Sequence, residues 1–460
     1  MIRILKLLIS SALIIFPIIG HAQELRSSYF MQTSIFKHQL NPALINESYI
    51  GVPFLGNINV GTVGNIGLGN FIYELPNDPK YSLTTFMSPT VSADQFLGSL
   101  KSHNKIDTYI NLNLFSVGFK AFKGINIIEM NLRSNSNVNI PKSLFEFMKE
   151  AGAKDTYNIT DMGISSQNYV EVALGHSHKT NNNLTIGAKL KFLIGGAYID
   201  TRINNVDVKL NGDVWSLNGN VSMNAAILNS TFKYKVNKVS SDGRKQIDGF
   251  DTKFGIPGIG GALDLGLVYN LPCGLSLSAG ATDLGFIKWN KSLRASSNGS
   301  WSFDGFKAPI HISGDDGGEK LKDQLDDIGD QLEDAFAVYD DGTQARSSKL
   351  AATINAGIEY RIPSYNKLSF GLLYTSRIHS IYSWNQAMVS ANYRPAKWFE
   401  IVVNSAYSST GLTYGGVISF RANKFNLFIG ADRILGTVSK QYIPLNNMNS
   451  NINFGMSFSL

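Results

Sequence analysis

Apolar and polar residues alternate through most of the chain. Leu184, Ile186, Ala188, Leu190, Phe192 and Ile194 share one parity, and Thr185, Gly187, Lys189, Lys191 and Leu193 the other. A strand repeats every two residues, so this run has one apolar and one largely polar face. The same reading fits Ala352 to Arg361, Leu263 to Tyr269, Leu412 to Arg421, and Ile452 to the terminal Leu460. With the apolar face toward lipid, Lys189 and Lys191 must point inward, because a lysine facing a bilayer midplane costs roughly 2–4 kcal/mol. The pattern predicts an all-β fold, a closed antiparallel transmembrane β-barrel whose last residues form its closing strand.

Strands are expected near 57–64, 109–119, 125–133, 169–175, 184–194, 203–210, 214–223 and 262–269. Others are expected near 275–282, 350–360, 368–375, 386–393, 399–407, 412–420, 425–431 and 452–460. That makes sixteen, or fourteen if the weaker 57–64 and 203–210 are set aside. Connections at 120–124, 270–274, 361–367, 394–398 and 421–424 are short, and all fall on one side. Those at 65–108, 134–168, 224–261, 283–349 and 432–451 are long, and all fall on the other. Short periplasmic turns and long outer loops are the habit of bacterial barrels. A secreted β-sandwich array also alternates, but it leaves this parity unexplained. Tyr109, Tyr269, Tyr360, Tyr374, Tyr393, Trp398 and Tyr407 lie near strand ends, as interfacial girdles require.

The first residues change the picture from strand to export. Arg3 and Lys6 precede an uncharged apolar run from Leu7 to Ile19, and Gly20-His21-Ala22 supplies small residues for cleavage. This is the layout of a signal peptide over 1–22, with an exported, outer-membrane protein following. No later apolar run is long enough for a spanning helix. A single cysteine, Cys273, excludes an intrachain disulfide and reads as a turn residue. Arg3 and Lys6 account for two of the net +6 charges, and the remaining basic residues are scattered, which is no nucleic-acid footprint.

The inward parity holds many glycines: Gly118, Gly175, Gly187, Gly266, Gly280, Gly357, Gly371, Gly430 and Gly455. Glycine lets another backbone approach, so the lumen is expected to be filled by a plug. Inward charges balance. Arg133, Lys189, Lys191, Lys209, Arg361, Arg394 and Arg421 stand against Glu129, Glu171, Asp207, Asp264, Glu359, Glu400 and Asp432. Single-sign rings suggest ion selectivity; a balanced set suggests a salt-bridged interior. The expected organisation is an N-terminal plug or hatch at 23–56 and a barrel over 57–460.

Several short motifs recur in order: Ser28-Tyr29-Phe30-Met31, His38-Gln39-Leu40-Asn41-Pro42-Ala43, Tyr49-Ile50-Gly51-Val52-Pro53, Thr282 to Trp289, and Gly430 to Gly436. In these the chain resembles an uncharacterised Bacteroidota family of predicted outer-membrane barrels, a domain of unknown function. Asn41-Pro42-Ala43 is also similar to the hatch of FadL-like channels and to barrel partners of the type IX secretion system. The resemblance implies a conduit for a small or apolar solute through a hatch and lateral opening, with Asn41, Pro42 and Ala43 as candidate binding residues. The alternative is a scaffold or partner barrel acting on other envelope proteins through its outer loops. The terminal Leu460 departs from the aromatic end common in barrels, and Phe458 takes that place.

In the loop 283–349, Leu321, Leu325, Ile328, Leu332 and Phe336 recur at helical spacing among acidic residues. They predict an amphipathic acidic helix packed over the barrel mouth, or, more sharply, a docking surface or divalent-ion site. Asp315-Asp316-Gly317-Gly318 lacks EF-hand spacing. Shorter helices are expected at Ser92 to Leu100 and Pro141 to Glu150. His176-Ser177-His178 has no further ligands in pattern for a metal site. No Gly-x-Ser-x-Gly, HExxH or P-loop is present, so no catalytic residue is nominated and no cofactor is expected. The expected partners are membrane lipid and envelope proteins, not nucleic acid.

Overall fold

The run from Leu184 to Ile194 forms the lower part of a much longer strand, Leu184–Asn211. The computed structural model describes residues 25–45, 47–75, 83–211, 214–304, 321–379, 382–409, 411–434 and 450–460. The chain makes a closed antiparallel barrel of 14 strands. The wall strands are β1 (Tyr49–Gly51 with Ile58–Gly64), β2 (His103–Ala121), β3 (Gly124–Pro141), β4 (Thr156–Lys179) and β5 (Leu184–Asn211). Strand β6 is Val214–Ile227 with Gly258–Asn270, β7 is Leu275–Phe303, and β8 is Tyr339–Lys349 with Ala352–Arg361. The remaining wall strands are β9 (Leu368–Ile378), β10 (Trp384–Ala396), β11 (Phe399–Ser408), β12 (Gly411–Ala422), β13 (Phe425–Ile434) and β14 (Ser450–Ser459). Each pairs with its neighbour in sequence, and β14 pairs with both pieces of β1, closing the ring. Closure leaves no open sheet edge in lipid, where an unpaired backbone group has no water to bond.

The alternation sorts the side chains as expected. On β5, Leu190 is 66 % exposed while Lys189 on the other face is 1 % exposed. Leu265, Leu267, Phe370, Leu372, Val389, Val403, Ile429 and Ile452 extend this outward apolar band around the wall. Tyr269, Tyr360, Tyr374, Tyr393, Trp398 and Tyr407 are also outward and exposed. Tyr109 is not part of that girdle: it is buried, under the Arg377 guanidinium at 5.1 Å.

The strand count resolves at fourteen because two pairs of expected strands merge. Residues 184–194 and 203–210 are one strand, β5. Residues 214–223 and 262–269 occupy one wall position, β6. Merging two pairs removes two strands and preserves the up–down parity of the connections. Sequence reading split β5 because the ladder shifts register at Asn168/Tyr169 and again at Ile203/Asn205. Each shift interchanges the two faces and breaks the alternation. Beyond the second shift, Asp207 and Lys209 lie opposite Val206 and Val208 and stand apart from the buried charges below; Lys209 is exposed.

The segment 283–349 is not a simple loop. Strand β7 continues to Phe303, and β8 returns from Tyr339. A bulge at Asp283, with φ of 60°, interrupts the alternation there. The wall also begins earlier than 57, at Tyr49, before Pro53 and the positive-φ Phe54 interrupt β1. Helices form at Ala93–Gly98 (α1), Lys142–Glu150 (α2) and Leu321–Ala335 (α3). Helix α1 is capped by Ser92, whose Oγ accepts from Gln95 N at 3.1 Å. Residues 1–22 and 315–318, and most of 432–451, lie outside the described residues.

Inside the wall, Lys191 Nζ lies 2.8 Å from Asp264, 2.6 Å from Asp283 and 3.5 Å from Glu171, and Arg133 reaches Glu171 at 3.4 Å. Buried charges survive only when paired, and removing one partner costs about 3–5 kcal/mol. Adjacent residues on opposite faces therefore test the fold. Leu190→Arg is expected to cost ~2–4 kcal/mol by placing charge in lipid. Lys191→Met is expected to cost ~3–5 kcal/mol by stranding Asp264 and Asp283. Urea titration of the barrel in vesicles measures both; a neutral Lys191→Met would overturn the paired interior.

Candidate functional site

The described N-terminal segment, Leu25–Ile45, is buried almost throughout. It has hydrogen-bond partners on β3, β6, β7, β8, β10, β11, β12 and β13, which places it inside the ring.

Asn41 and Pro42 start a short 3-10 turn, Pro42–Leu44. Proline fixes φ at the first position and needs no N–H partner there. Asn41 Oδ1 accepts from Ala43 N at 2.9 Å and so caps the turn. The Asn41 Nδ2 group donates to Tyr29 Oη at 3.0 Å, Ala279 O at 3.1 Å and Leu267 O at 3.3 Å.

The wall beneath this turn lacks side chains. Gly187, Gly266 and Gly280 are direct cross-strand neighbours on β5, β6 and β7. A Cβ on Gly187 or Gly266 would overlap Pro42 or Asn41, and one on Gly280 would come within 3.0 Å of Leu40 O. The row continues into Asn355 on β8, whose Nδ2 donates to Leu40 O at 3.0 Å. Three glycines make a flat seat for one backbone turn.

Two carboxylates hold the other side of the segment. Asp432 on β13 accepts from Arg26 N at 2.7 Å and Ser27 N at 2.8 Å. Glu400 on β11 accepts from Gln32 N at 3.0 Å and Thr33 N at 2.8 Å. Each caps two backbone N–H groups that no strand satisfies. Tyr29 and Phe30 fill the space left by Gly357 and Gly371. His38 Nε2 shares a hydrogen bond with Tyr49 Oη at 2.8 Å. With the segment in place, a cavity of about 40 Å³ remains, lined by Arg26, Tyr109, Arg133, Tyr169, Asp283 and Arg377 among others. That is room for a few waters.

The structure thus brings Asn41, Pro42 and Ala43 together with the glycine row, and Ser177, between the two histidines, donates to Ala43 O at 3.5 Å while the histidines themselves bond elsewhere. His176 meets Asn126 at 2.9 Å and His178 meets Lys123 O at 3.2 Å. Among the described residues no group of three or more metal-ligating side chains forms. Cys273 is free and exposed between β6 and β7. On α3, Glu333 and Asp334 pair with Lys235 and Lys238 at 3.1 and 2.8 Å.

Sequence reading had Glu400 and Asp432 among inward charges but not as holders of the N-terminal backbone. Neither spacing nor parity marks that role, because the partners are backbone N–H groups hundreds of residues away. It also took 224–261 for a loop between strands, whereas the chain leaves and re-enters one wall strand. The signal lay in Gly258-Ile259-Gly260-Gly261, where alternation resumes at wall position six.

A model of a family of unknown function, DUF5723, matches residues 42–432. No curated protein matches the sequence. Among solved structures, the toluene transporter TodX of P. putida overlays with a TM-score of 0.38 at 9 % identity, covering 96 % of this chain and 95 % of that one. A FadL homologue of Pseudomonas aeruginosa gives 0.41 at 11 % identity, covering 96 % and 98 %. The translocator domain of the autotransporter NalP of Neisseria meningitidis gives 0.34 at 8 %, covering 96 % and 99 %.

If Asp432 and Glu400 hold the segment, Asp432→Ala and Glu400→Ala each strand two N–H groups, at about 1–3 kcal/mol per buried group. Hydrogen exchange over residues 26–33 is expected to accelerate by tenfold or more in either variant. Exchange in β9 should stay unchanged; equal acceleration there would point to general unfolding instead.

Proposed function

The chain belongs to this DUF5723 family of unknown function, and from that premise we propose that it is an outer-membrane conduit for a small or apolar solute, closed at rest by Leu25–Ile45 acting as a hatch. The observation that carries this reading is the seat. Gly187, Gly266 and Gly280 give the wall a surface shaped for the Asn41-Pro42-Ala43 turn. A segment needed only to fill space could meet an ordinary wall of small and large side chains.

The contacts suit a closure that opens. The turn meets its seat through neutral hydrogen bonds, each worth about 0.5–1.5 kcal/mol net. No covalent link joins them, since the only cysteine is Cys273. The outward apolar band supports membrane residence, and the apolar run before Gln23 supports export. The scaffold reading has no comparable observation in its favour.

The test enlarges the seat. Gly266→Leu drives a side chain into Asn41 and is expected to displace the hatch without touching the lipid face. In planar bilayers the parent should show only rare, small openings, and Gly266→Leu a stable conductance. Gly187→Leu acts on the same turn from β5 and guards against a variant that fails to insert. Sealed bilayers with both inserted variants would refute the hatch.

A further inference from the structure

The charges buried inside the barrel are of both signs, but those exposed at one rim are not. At the end that carries the short turns, six connections join the strands, at 120–124, 179–183, 270–274, 361–367, 394–398 and 421–424. Five of them hold an exposed lysine: Lys120 and Lys123 on the first, then Lys179, Lys367, Lys397 and Lys424. None of the six contains Asp or Glu. Glu47 and Glu359 reach this rim, but they pair with Arg421 and Arg361. The six lysines have no carboxylate partner among the described residues. At the opposite end, by contrast, exposed lysines are answered: Lys233 by Asp251 at 2.9 Å, Lys238 by Asp334 at 2.8 Å and Lys154 by Glu146 at 3.2 Å.

Register says which way four of these lysines point. Lys120 lies two residues from Gly118, whose inner side meets Tyr49. Lys179 lies two residues from Ser177, which donates to Ala43 O. Lys367 is two residues from Ser369 and Lys424 two from Asn426, both buried inside the wall. A strand repeats every two residues, so these four continue the inward faces of their strands. They ring the mouth of the lumen and not the lipid. Lys123 sits at a turn tip with φ of 59°, after Phe122 with φ of 53°. A tight turn of that kind takes Asn-Gly most readily, so Lys123 stands where glycine would be relaxed.

We infer that this lysine ring makes the short-turn mouth selective for anions, and that the solute of the conduit is a small water-soluble anion bearing a carboxylate, phosphate or sulfate group. The inference rests on the conduit reading above. Rings of one sign select ions, and a mouth walled by protein focuses the field of unpaired charges. Just inside the ring, the inward side chains Ser177, Ser369, Asn392, Ser419, Asn426 and Ser459 are polar. They suit a solute that exchanges hydrogen bonds with water for hydrogen bonds with the wall.

Two measurements test the ring, one on the closed barrel and one on the open barrel. Cys273 is exposed in the connection that carries no charge. Its neighbours are the connections of Lys179 and Lys367, through Asn270 N to Asn183 O at 2.8 Å and Arg361 N to Gly274 O at 2.9 Å. In the full chain in detergent, Cys273 is reacted with a sulfonate-bearing and a trimethylammonium-bearing methanethiosulfonate, against free cysteine as reference. At low salt the anionic reagent is expected to be favoured roughly fivefold. The preference should fade at about 1 M salt, where the Debye length is about 3 Å. Lys179→Glu with Lys367→Glu should reverse it, and Lys179→Arg with Lys367→Arg should keep it. Equal rates for the two reagents, or a preference unmoved by charge reversal, overturns the ring. In planar bilayers under a KCl gradient, the open Gly266→Leu barrel is expected to pass chloride roughly threefold more readily than potassium. Adding Lys120→Glu, Lys179→Glu, Lys367→Glu and Lys424→Glu together should make it prefer potassium. If that variant fails to insert, Lys120→Glu and Lys424→Glu singly should each lower the chloride preference. A conducting barrel without chloride preference overturns the anion assignment and leaves the conduit standing. Sealed seat variants sink the conduit, and the solute assignment with it.

Discussion

A strand that crosses lipid must turn every second side chain inward, and in this chain those side chains are polar. The rest of the structure depends on that constraint. Closing the ring pairs each wall strand with a neighbour on both sides, but it gathers Lys189, Lys191, Glu129, Glu171, Asp264 and Glu400 into an interior where each is at most 3 % exposed. Isolated, such charges cost several kcal/mol each. They are tolerated because partners surround them: Lys189 with Glu129, Lys191 with two aspartates, and Glu400 with the backbone of Gln32 and Thr33. The N-terminal segment is thus part of the solution to burying the wall's polar face. Its own unpaired N–H groups are satisfied by the wall in return.

How much of this was legible follows from period two. Where the alternation is unbroken, as at Leu184 to Ile194 or Ile452 to Leu460, sequence gives the strand, its faces and the inward charges. Where a bulge inserts one residue, the parity flips and the reading fails. Asp283 and the Ile203/Asn205 shift did this, so β5 was split and the upper part of β7 was taken for loop. The upper strands fail for a second reason. Ser296, Asn298, Ser300 and Ser302 face water rather than lipid, and Leu217 packs beside α2, so neither face has the composition expected of a membrane strand.

The glycines illustrate the middle ground. Their inward parity was readable and implied a close approach. That Gly187, Gly266 and Gly280 form one row was not, because cross-strand register depends on turn lengths and bulges outside each strand. The carboxylates show the limit. Nothing local distinguishes Asp432, which holds Arg26 and Ser27, from Asp264, which pairs with Lys191. Only the closed ring brings residue 26 to residue 432.

The segment's two sides are held by different physics, and that orders their release. Toward β11 and β13 its backbone donates to the side-chain carboxylates of Glu400 and Asp432. Hydrogen bonds to charged groups are worth about 1.5–3 kcal/mol each. Toward β5, β6 and β7 it rests on glycine, with neutral bonds from Asn41 to Leu267 O and Ala279 O. Separation on the carboxylate side strands two charges, whereas separation on the glycine side strands none. For the proposed hatch, the cheaper opening therefore lies along β5, β6 and β7 and pivots on Glu400 and Asp432. Lys191, on β5 beyond Gly187, sits with Asp264 and Asp283, bonded to them across the wall and not to the segment. In the proposed opening that cluster keeps the sector's strands together, so space gained at the seat does not require the wall to part.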